Sequence, residues 1–73
     1  MSASEVELIV NGRPETGVHG MTITQLLERH GLRPEWVVVE HNGEALPRGR
    51  YAQTTLDEGD RIEVVRAVAG GAV

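Results

Sequence analysis

The chain contains neither cysteine nor lysine among its 73 residues. Without cysteine it can form no disulfide framework, no thiolate nucleophile and no cysteine-based zinc site. Without lysine it can supply neither a Schiff base nor the lysine of a phosphate-binding loop. A fold without disulfides depends on its apolar core, which is typical of cytoplasmic proteins, and we expect the chain to act in the cytoplasm.

Aromatic and clustered basic residues are also scarce. Trp36 and Tyr51 are the only aromatic side chains, the seven basic residues are all arginine, and the formal net charge is −4. No basic stripe indicates nucleic-acid binding, and an acidic chain would suit a basic protein partner. No apolar run approaches a secretory signal or a membrane span, so we expect no membrane association.

The short length limits what the chain can enclose, because 73 residues predict a single domain. A domain of this size buries only about 60% of the surface that its unfolded chain exposes. An enclosed substrate cavity would be hard to fit beside the core. The length therefore argues against an enzyme.

Alternating apolar residues predict a strand over residues 5–11. Asn11-Gly12 is a strong hairpin signal, and residues 13–18 follow as the return strand. Pro14 favours an edge position for that strand because proline has no N–H to donate.

One helix is predicted next, over residues 23–30, from apolar spacing at i, i+3, i+4 and i+7. Thr22 and Gln25 have the spacing of a capping box. Gly31 is placed to end the helix in the left-handed conformation.

The second half of the chain predicts three further strands: residues 36–41, 54–56 and 61–68. Asn42-Gly43 predicts a second hairpin-type turn, and residues 44–51 are polar and rich in turn residues. Residues 69–73 have no periodicity and predict a flexible C-terminal tail.

This order predicts an α+β fold in which a mixed sheet of four to five strands packs on one helix. The first and last long strands are most simply central and parallel, which is a β-grasp arrangement. We expect a β-grasp domain over residues 1–68 and a tail over residues 69–73. The predicted core consists of Leu8, Val10, Ile23, Leu26, Leu27, Val37, Val39, Ile62 and Val64.

Valine is more abundant in the last strands than the core requires. Val64 and Val65 are neighbours in a strand, so one of them must face away from the helix. An apolar outer face on a small protein indicates a docking surface. Val64, Val65 and Val68 are the candidate docking residues.

Other polar residues predict structural or solvent roles. His19, His30 and His41 fall in a turn, at a helix end and in a strand, without the spacing of metal ligands. The acidic segment at residues 57–60 lacks the spacing of a calcium loop, so we expect a solvated turn. Trp36, at the start of its strand, is expected to cap the edge of the core.

Several motifs, in this order, resemble the ThiS/MoaD group of ubiquitin-like sulfur carriers, and ThiS in particular. They are Val10-Asn11-Gly12, Leu26-Leu27, Leu46-Pro47-Arg48, residues 57–65 and Ala69-Gly70-Gly71. They span nearly the whole chain. The resemblance implies a ubiquitin-like β-grasp fold and a carrier without catalytic residues, metal or bound cofactor.

In that family a partner enzyme of the ThiF/MoeB type uses ATP to adenylate the terminal glycine. Sulfur then replaces AMP, and the resulting thiocarboxylate supplies a thiazole synthase. The resemblance thus implies that Gly71 is the attachment point and that Ala69 and Gly70 belong to the tail. Glycine suits this role because it has no Cβ to obstruct a narrow channel.

The chain departs from the family by continuing beyond the second glycine with Ala72-Val73. We therefore expect a precursor that a protease cuts between Gly71 and Ala72. The sulfur acceptor stays open, since cysteine, molybdopterin, thiolated tRNA or a sulfur-containing natural product would use the same chemistry. Two further functional classes also stay open: ubiquitin-like conjugation of Gly71 to a lysine, and a plain β-grasp interaction module.

Overall fold

The computed structural model of the chain describes residues 4–67. Its elements are β1 (Glu5–Val10), β2 (Arg13–Val18), α1 (Ile23–Arg29), β3 (Val37–His41), β4 (Glu44–Leu46) and β5 (Arg61–Arg66). Two 3₁₀ helices, Pro34–Trp36 and Arg48–Gln53, lie in the connections. Among the described residues, none of the helices has the length and apolar character needed to cross a bilayer.

The five strands form one mixed sheet in the order β2-β1-β5-β3-β4. The central strands β1 and β5 are parallel, with Val10 beside Ile62, and the remaining pairs are antiparallel. The predicted parallel centre is thus confirmed. Strand β2, which contains Pro14, lies at an edge as expected.

Both predicted Asn-Gly turns are present. Asn11 and Gly12 have φ of 53° and 81°, and Asn42 and Gly43 have φ of 53° and 86°. Left-handed values at both central positions are those of the type I′ turn, whose twist matches a β-hairpin. The turns fix the register of β1 with β2 and of β3 with β4.

The prediction of a strand at residues 54–56 is wrong. The short strand that completes the five-stranded sheet is instead β4, Glu44–Leu46. The turn after β3 returns the chain along that strand and places Glu44 opposite His41. Thr55 makes only an isolated bridge to Thr22. Leu56 is nonetheless buried in the core, because its N–H donates to the carbonyl of Met21 and holds this irregular segment beside the start of the helix.

The helix begins as predicted and ends one residue earlier. The N–H of Gln25 donates to Thr22 Oγ1 at 3.2 Å, and Gln25 Oε1 accepts from the N–H of Thr22 at 3.0 Å, which completes the capping box. His30 is the C-cap, and Gly31 follows with φ of 71°.

All predicted core residues except Val64 are buried, and Val64 is half-buried at the margin of the core. The prediction missed four buried apolar residues: Val6, Met21, Tyr51 and Leu56. Tyr51 and Leu56 lie in segments without regular periodicity, so no pattern marked them.

Candidate functional site

The strand that leads to the predicted working terminus is central in the sheet. The N–H of Ala67 donates to the carbonyl of Trp36 at 2.7 Å, which ties the end of β5 to the start of β3. Five of the predicted site residues lie outside the described residues: Val68, Ala69, Gly70, Gly71 and Ala72. Their predicted roles stay predictions.

Strand β5 extends beyond its neighbour β1. The parallel pairing ends where Val10 lies beside Ile62. Asn11 then accepts the N–H of Val64 on its side-chain Oδ1 at 2.7 Å. Beyond Ile62 and as far as Arg66, β5 is paired with β3 alone. The end that leads to the tail is therefore open on one side.

The two central valines of β5 face opposite sides of the sheet. Val65 is 61% exposed and lies opposite Val38, which is 49% exposed. Val64 lies opposite the fully buried Val39 and packs at the edge of the core. Of the candidate docking residues that the structure describes, Val65 therefore lies on the outer face and Val64 on the helix side.

Trp36 does not cap the core as predicted, since the residue is 43% exposed and is not among those packed against the core. The guanidinium carbons of Arg33 and Arg66 lie over the ring, 5.5 and 5.8 Å from its centroid. Arg66 is thirty positions away along the chain, so only the pairing of β3 with β5 brings it to the ring. The contact lies where the chain leaves the sheet.

The start of β5 is held by a buried carboxylate. His41 Nε2 lies 2.9 Å from Asp60 Oδ2, Asn42 Nδ2 donates to Asp60 Oδ1 at 3.1 Å, and the N–H of Asp57 donates to Oδ2 at 2.8 Å. Asp60 is buried, so the prediction of a solvated acidic turn is wrong for this residue.

Two opposing effects set the pKa of Asp60. Burial by itself raises the pKa, but hydrogen bonds from His41, the Asp57 N–H and Asn42, with the attraction of His41, hold it below its ordinary 3.8. The group therefore stays ionised at neutral pH as a hydrogen-bond acceptor. This is the behaviour of a structural carboxylate and not of a general acid or base.

A second histidine–carboxylate pair joins the helix to β2. His30 Nε2 lies 2.9 Å from Glu15 Oε1, and Arg29 Nη1 donates to Glu15 Oε2 at 3.2 Å. Sequence spacing could not predict that His30 contacts Glu15 or that His41 contacts Asp60, because the two members of each pair are distant along the chain. Over residues 4–67, no three potential ligands are grouped to hold a metal ion.

A cleft of about 570 Å³ lies between α1 and the β1–β2 hairpin. Leu26, Leu32 and Val64 line it, with Glu15 and His30 also in its wall. The Glu15 carboxylate contacts His30 in this wall and also contacts Arg29. The cleft thus offers apolar surface beside one histidine–carboxylate contact.

Comparison with known proteins gives consistent results. A model of the ThiS family matches residues 8–71. The crystal structure of the thiamine biosynthesis protein ThiS from Geobacter metallireducens is similar with a TM-score of 0.76 and 38% identity, covering 90% of this chain and 100% of that chain.

Two further relatives differ in length. The sulfur carrier protein ThiS of Bacillus subtilis is 37% identical over 62 residues, which are 85% of this chain and 88% of that protein. A thiazole synthase of Magnetococcus marinus is 39% identical over 66 residues, which are 90% of this chain. The chain spans only 20% of the length of that thiazole synthase.

Proposed function

The chain belongs to the ThiS family, and from this premise we propose that it carries sulfur on the carboxylate of Gly71. Proteins of this family are small sulfur carriers and not enzymes. The observation that carries the proposal is that the family match extends to residue 71, the second glycine of the tail. We place the carrier in the cytoplasm.

The proposed chemistry takes place in a partner and uses ATP there. An adenylating enzyme of the ThiF/MoeB type joins the Gly71 carboxylate to the α-phosphate of ATP and releases pyrophosphate. A sulfide then attacks the acyl carbon and AMP leaves, which gives a thiocarboxylate. The carrier contributes a terminus without a Cβ at the reacting residue, so a nucleophile can approach closely.

The position of β5 supports delivery of the tail into a partner. The strand is central, its end is open on the side beyond β1, and the N–H of Ala67 is hydrogen-bonded to the carbonyl of Trp36, just before β3. From Ala69 to Gly71 an extended backbone spans at most ~10 Å. The domain can therefore dock outside a channel while the terminus reaches the reacting groups inside.

The outer face near Val65 is the proposed docking surface for the adenylating enzyme. Val38 and Val65 form an exposed apolar pair at the start of β3 and near the end of β5. Burying such a pair favours association by about 25 cal/mol for each Å² of apolar surface. Val68, two residues beyond β5 in the sequence, remains a proposed member of this surface, whereas Val64 packs at the margin of the core.

We propose that the acceptor is a thiazole synthase. A thiazole synthase of Magnetococcus marinus contains a segment similar to this chain, although the segment is only 20% of that protein. The presence of a carrier-like segment in the same chain as a thiazole synthase supports direct transfer of sulfur from a carrier of this kind to that enzyme. The thiamine biosynthesis role of the ThiS from Geobacter metallireducens points in the same direction.

We further propose that Ala72 and Val73 are removed by a protease before activation. Two additional residues place the terminal carboxylate up to ~7 Å beyond the position of the Gly71 carboxylate. They also substitute a β-branched valine for glycine at the reacting position, and its side chain crowds the acyl carbon.

Intact-mass spectrometry tests the carrier reaction. Three chains, ending at Gly70, at Gly71 and at Val73, are incubated with the adenylating enzyme, ATP and a sulfide source. Only the chain that ends at Gly71 should exchange one carboxylate oxygen for sulfur, because the other two place the carboxylate too short or too far.

The two controls separate the proposals. If no chain gains sulfur, the carrier function is wrong. If the chain ending at Val73 gains sulfur on Val73 as fast as the chain ending at Gly71, the carrier function stands and the processing step is wrong. Samples without ATP measure any reaction that does not pass through an adenylate.

A further inference from the structure

Two arginines share one exposed indole at the base of the tail. The guanidinium carbons of Arg33 and Arg66 lie 5.5 and 5.8 Å from the ring centroid of Trp36. The ring face attracts a cation and restricts how each guanidinium can turn. Because Ala67 donates its N–H to the Trp36 carbonyl, the three side chains lie where the tail begins.

These two positive charges are incompletely balanced by the chain itself. Arg33 approaches Glu35 only at 3.9 Å, with both side chains largely exposed. Within residues 4–67, Arg66 lies within ion-pair distance of no carboxylate. Two like charges beside one ring repel each other, and an anion between them would relieve the repulsion.

A third cation lies close to the same segment, because Arg48 Nε donates to the carbonyl of Pro34 at 3.1 Å. The chain as a whole has a net charge of −4. The group of three arginines near the end of β5 therefore has the opposite sign to the chain as a whole. The exposed acidic residues Asp57 and Glu58 lie in the loop that precedes the other end of β5. The surface charge is therefore divided between the two ends of the strand.

We propose that Arg33, Trp36 and Arg66 form a clamp for an acidic side chain of the adenylating enzyme. The proposal rests on the carrier function proposed above. A carboxylate can accept paired hydrogen bonds from a guanidinium, and tryptophan and arginine are the residues that most often dominate the energy of an interface. Arg66 lies opposite the buried Val37, on the other face of the sheet from Val38 and Val65, so the clamp is a second contact at the same end of β5 as the apolar pair.

The clamp would also set how far the tail extends into the partner. Gly71 is five residues beyond Arg66, so its carboxylate can lie at most ~18 Å from that backbone position. An acidic residue of the partner held by Arg66 must therefore lie within this range of the adenylation site, extended by the length of the arginine side chain. Charge pairs at the rim of an interface mainly increase the association rate and fix orientation.

Arg66→Gln tests the clamp, and Arg61→Gln is its matched control. Both arginines are exposed, both lie on β5, and each substitution removes one positive charge from opposite ends of the strand. In chains ending at Gly71, Arg66→Gln should weaken binding to the adenylating enzyme about 10-fold at low salt. Arg61→Gln should change the dissociation constant by less than about twofold.

Salt dependence and fluorescence make the test specific. The affinity of the unsubstituted chain should fall more steeply with added salt than that of Arg33→Gln/Arg66→Gln. Trp36 is the only tryptophan, so its emission in the free carrier should change in Arg66→Gln and not in Arg61→Gln. Thermal unfolding of each variant verifies that it remains folded.

The outcomes distinguish this inference from the carrier function. If Arg66→Gln and Arg61→Gln bind equally well while the unsubstituted chain ending at Gly71 gains sulfur, the clamp is wrong and the carrier function stands. Equal weakening by both substitutions would also overturn the clamp, since it would reflect overall charge alone. If the unsubstituted chain gains no sulfur, the carrier function itself fails.

Discussion

The two ends of β5 are held by different kinds of contact. Before the strand, Asp60 is buried and accepts hydrogen bonds from two side chains and one backbone N–H. At its other end, Arg66 lies over an exposed indole, and β1 is no longer beside it. Stability is thus concentrated at the start of the strand, and the end that leads to Gly71 is accessible to a partner.

Asparagines in both hairpin turns bind β5 in the same way. Asn42 accepts the N–H of Arg61 on Oδ1 at 2.9 Å and donates its own N–H to the Arg61 carbonyl at 2.8 Å. Asn11 accepts the N–H of Val64 on Oδ1 at 2.7 Å and donates its own N–H to the Ile62 carbonyl at 2.9 Å. The two ends of β5 therefore differ through the Asp60 network and the loss of β1 as a neighbour, and not through the asparagines.

Removing the buried carboxylate should have the largest effect. Asp60→Ala leaves His41, Asn42 and the Asp57 N–H without their acceptor, so the free energy of unfolding should fall by about 3 kcal/mol. Urea denaturation followed by circular dichroism measures this change. Asp57→Ala is the matched control, because that side chain is exposed, and it should cost less than about 0.5 kcal/mol.

The same carboxylate gives a pH dependence of defined sign. The pKa of Asp60 in the folded chain is below the ordinary 3.8, so its stabilisation is complete above that value. The stabilisation is lost as pH falls through the folded pKa. Between about pH 5 and about pH 2, Asp60→Asn should lose less stability than the unsubstituted chain. Equal losses would show that Asp60 is not the titrating group.

A pair of valine substitutions compares the two faces at the exposed end. Val64→Asp places a charge at the margin of the core and should lower the free energy of unfolding by about 2 kcal/mol. Val65→Asp lies on the outer face, so it should cost less than about 0.5 kcal/mol while weakening binding to the adenylating enzyme. Urea denaturation and a binding titration measure the two effects. If both variants fold and are activated normally, the outer face is not the docking surface.

Much of the fold could be predicted because local signals agree with one another. The capping box at Thr22, the two Asn-Gly turns and the alternation of β1 and β5 each predict the observed element. The missed strand Glu44–Leu46 lies in a polar segment with no alternation of its own. It is a strand because the turn before it returns the chain along β3.

The candidate site was less predictable, because its contacts join residues that are distant in sequence. Trp36 and Arg66, like His41 and Asp60, meet only after the strands have paired. The sequence indicated that one of Val64 and Val65 faces outward, and the burial of Val39 decides which. Gly71 was identified by resemblance, and its role stays a proposal.

Between the two ends of β5, the outer face contains a pair of like charges. Glu63 lies directly opposite Glu40 in the antiparallel register of β3 and β5. Neither glutamate belongs to an ion pair within residues 4–67. Like charges in this position destabilise a sheet by about 0.2 to 1 kcal/mol. The centre of the strand therefore contributes less stability than the network at its start.

Glu63→Gln should accordingly raise the free energy of unfolding by about 0.5 kcal/mol. The gain should shrink in high salt, because mobile ions screen the repulsion between exposed carboxylates. Glu5→Gln removes the same charge from an exposed position opposite Val18 and should give no such gain. Urea denaturation at low and high ionic strength measures both variants. A gain that is equal in the two variants would reflect the net charge of −4, whereas a gain confined to Glu63→Gln would locate the repulsion between β3 and β5.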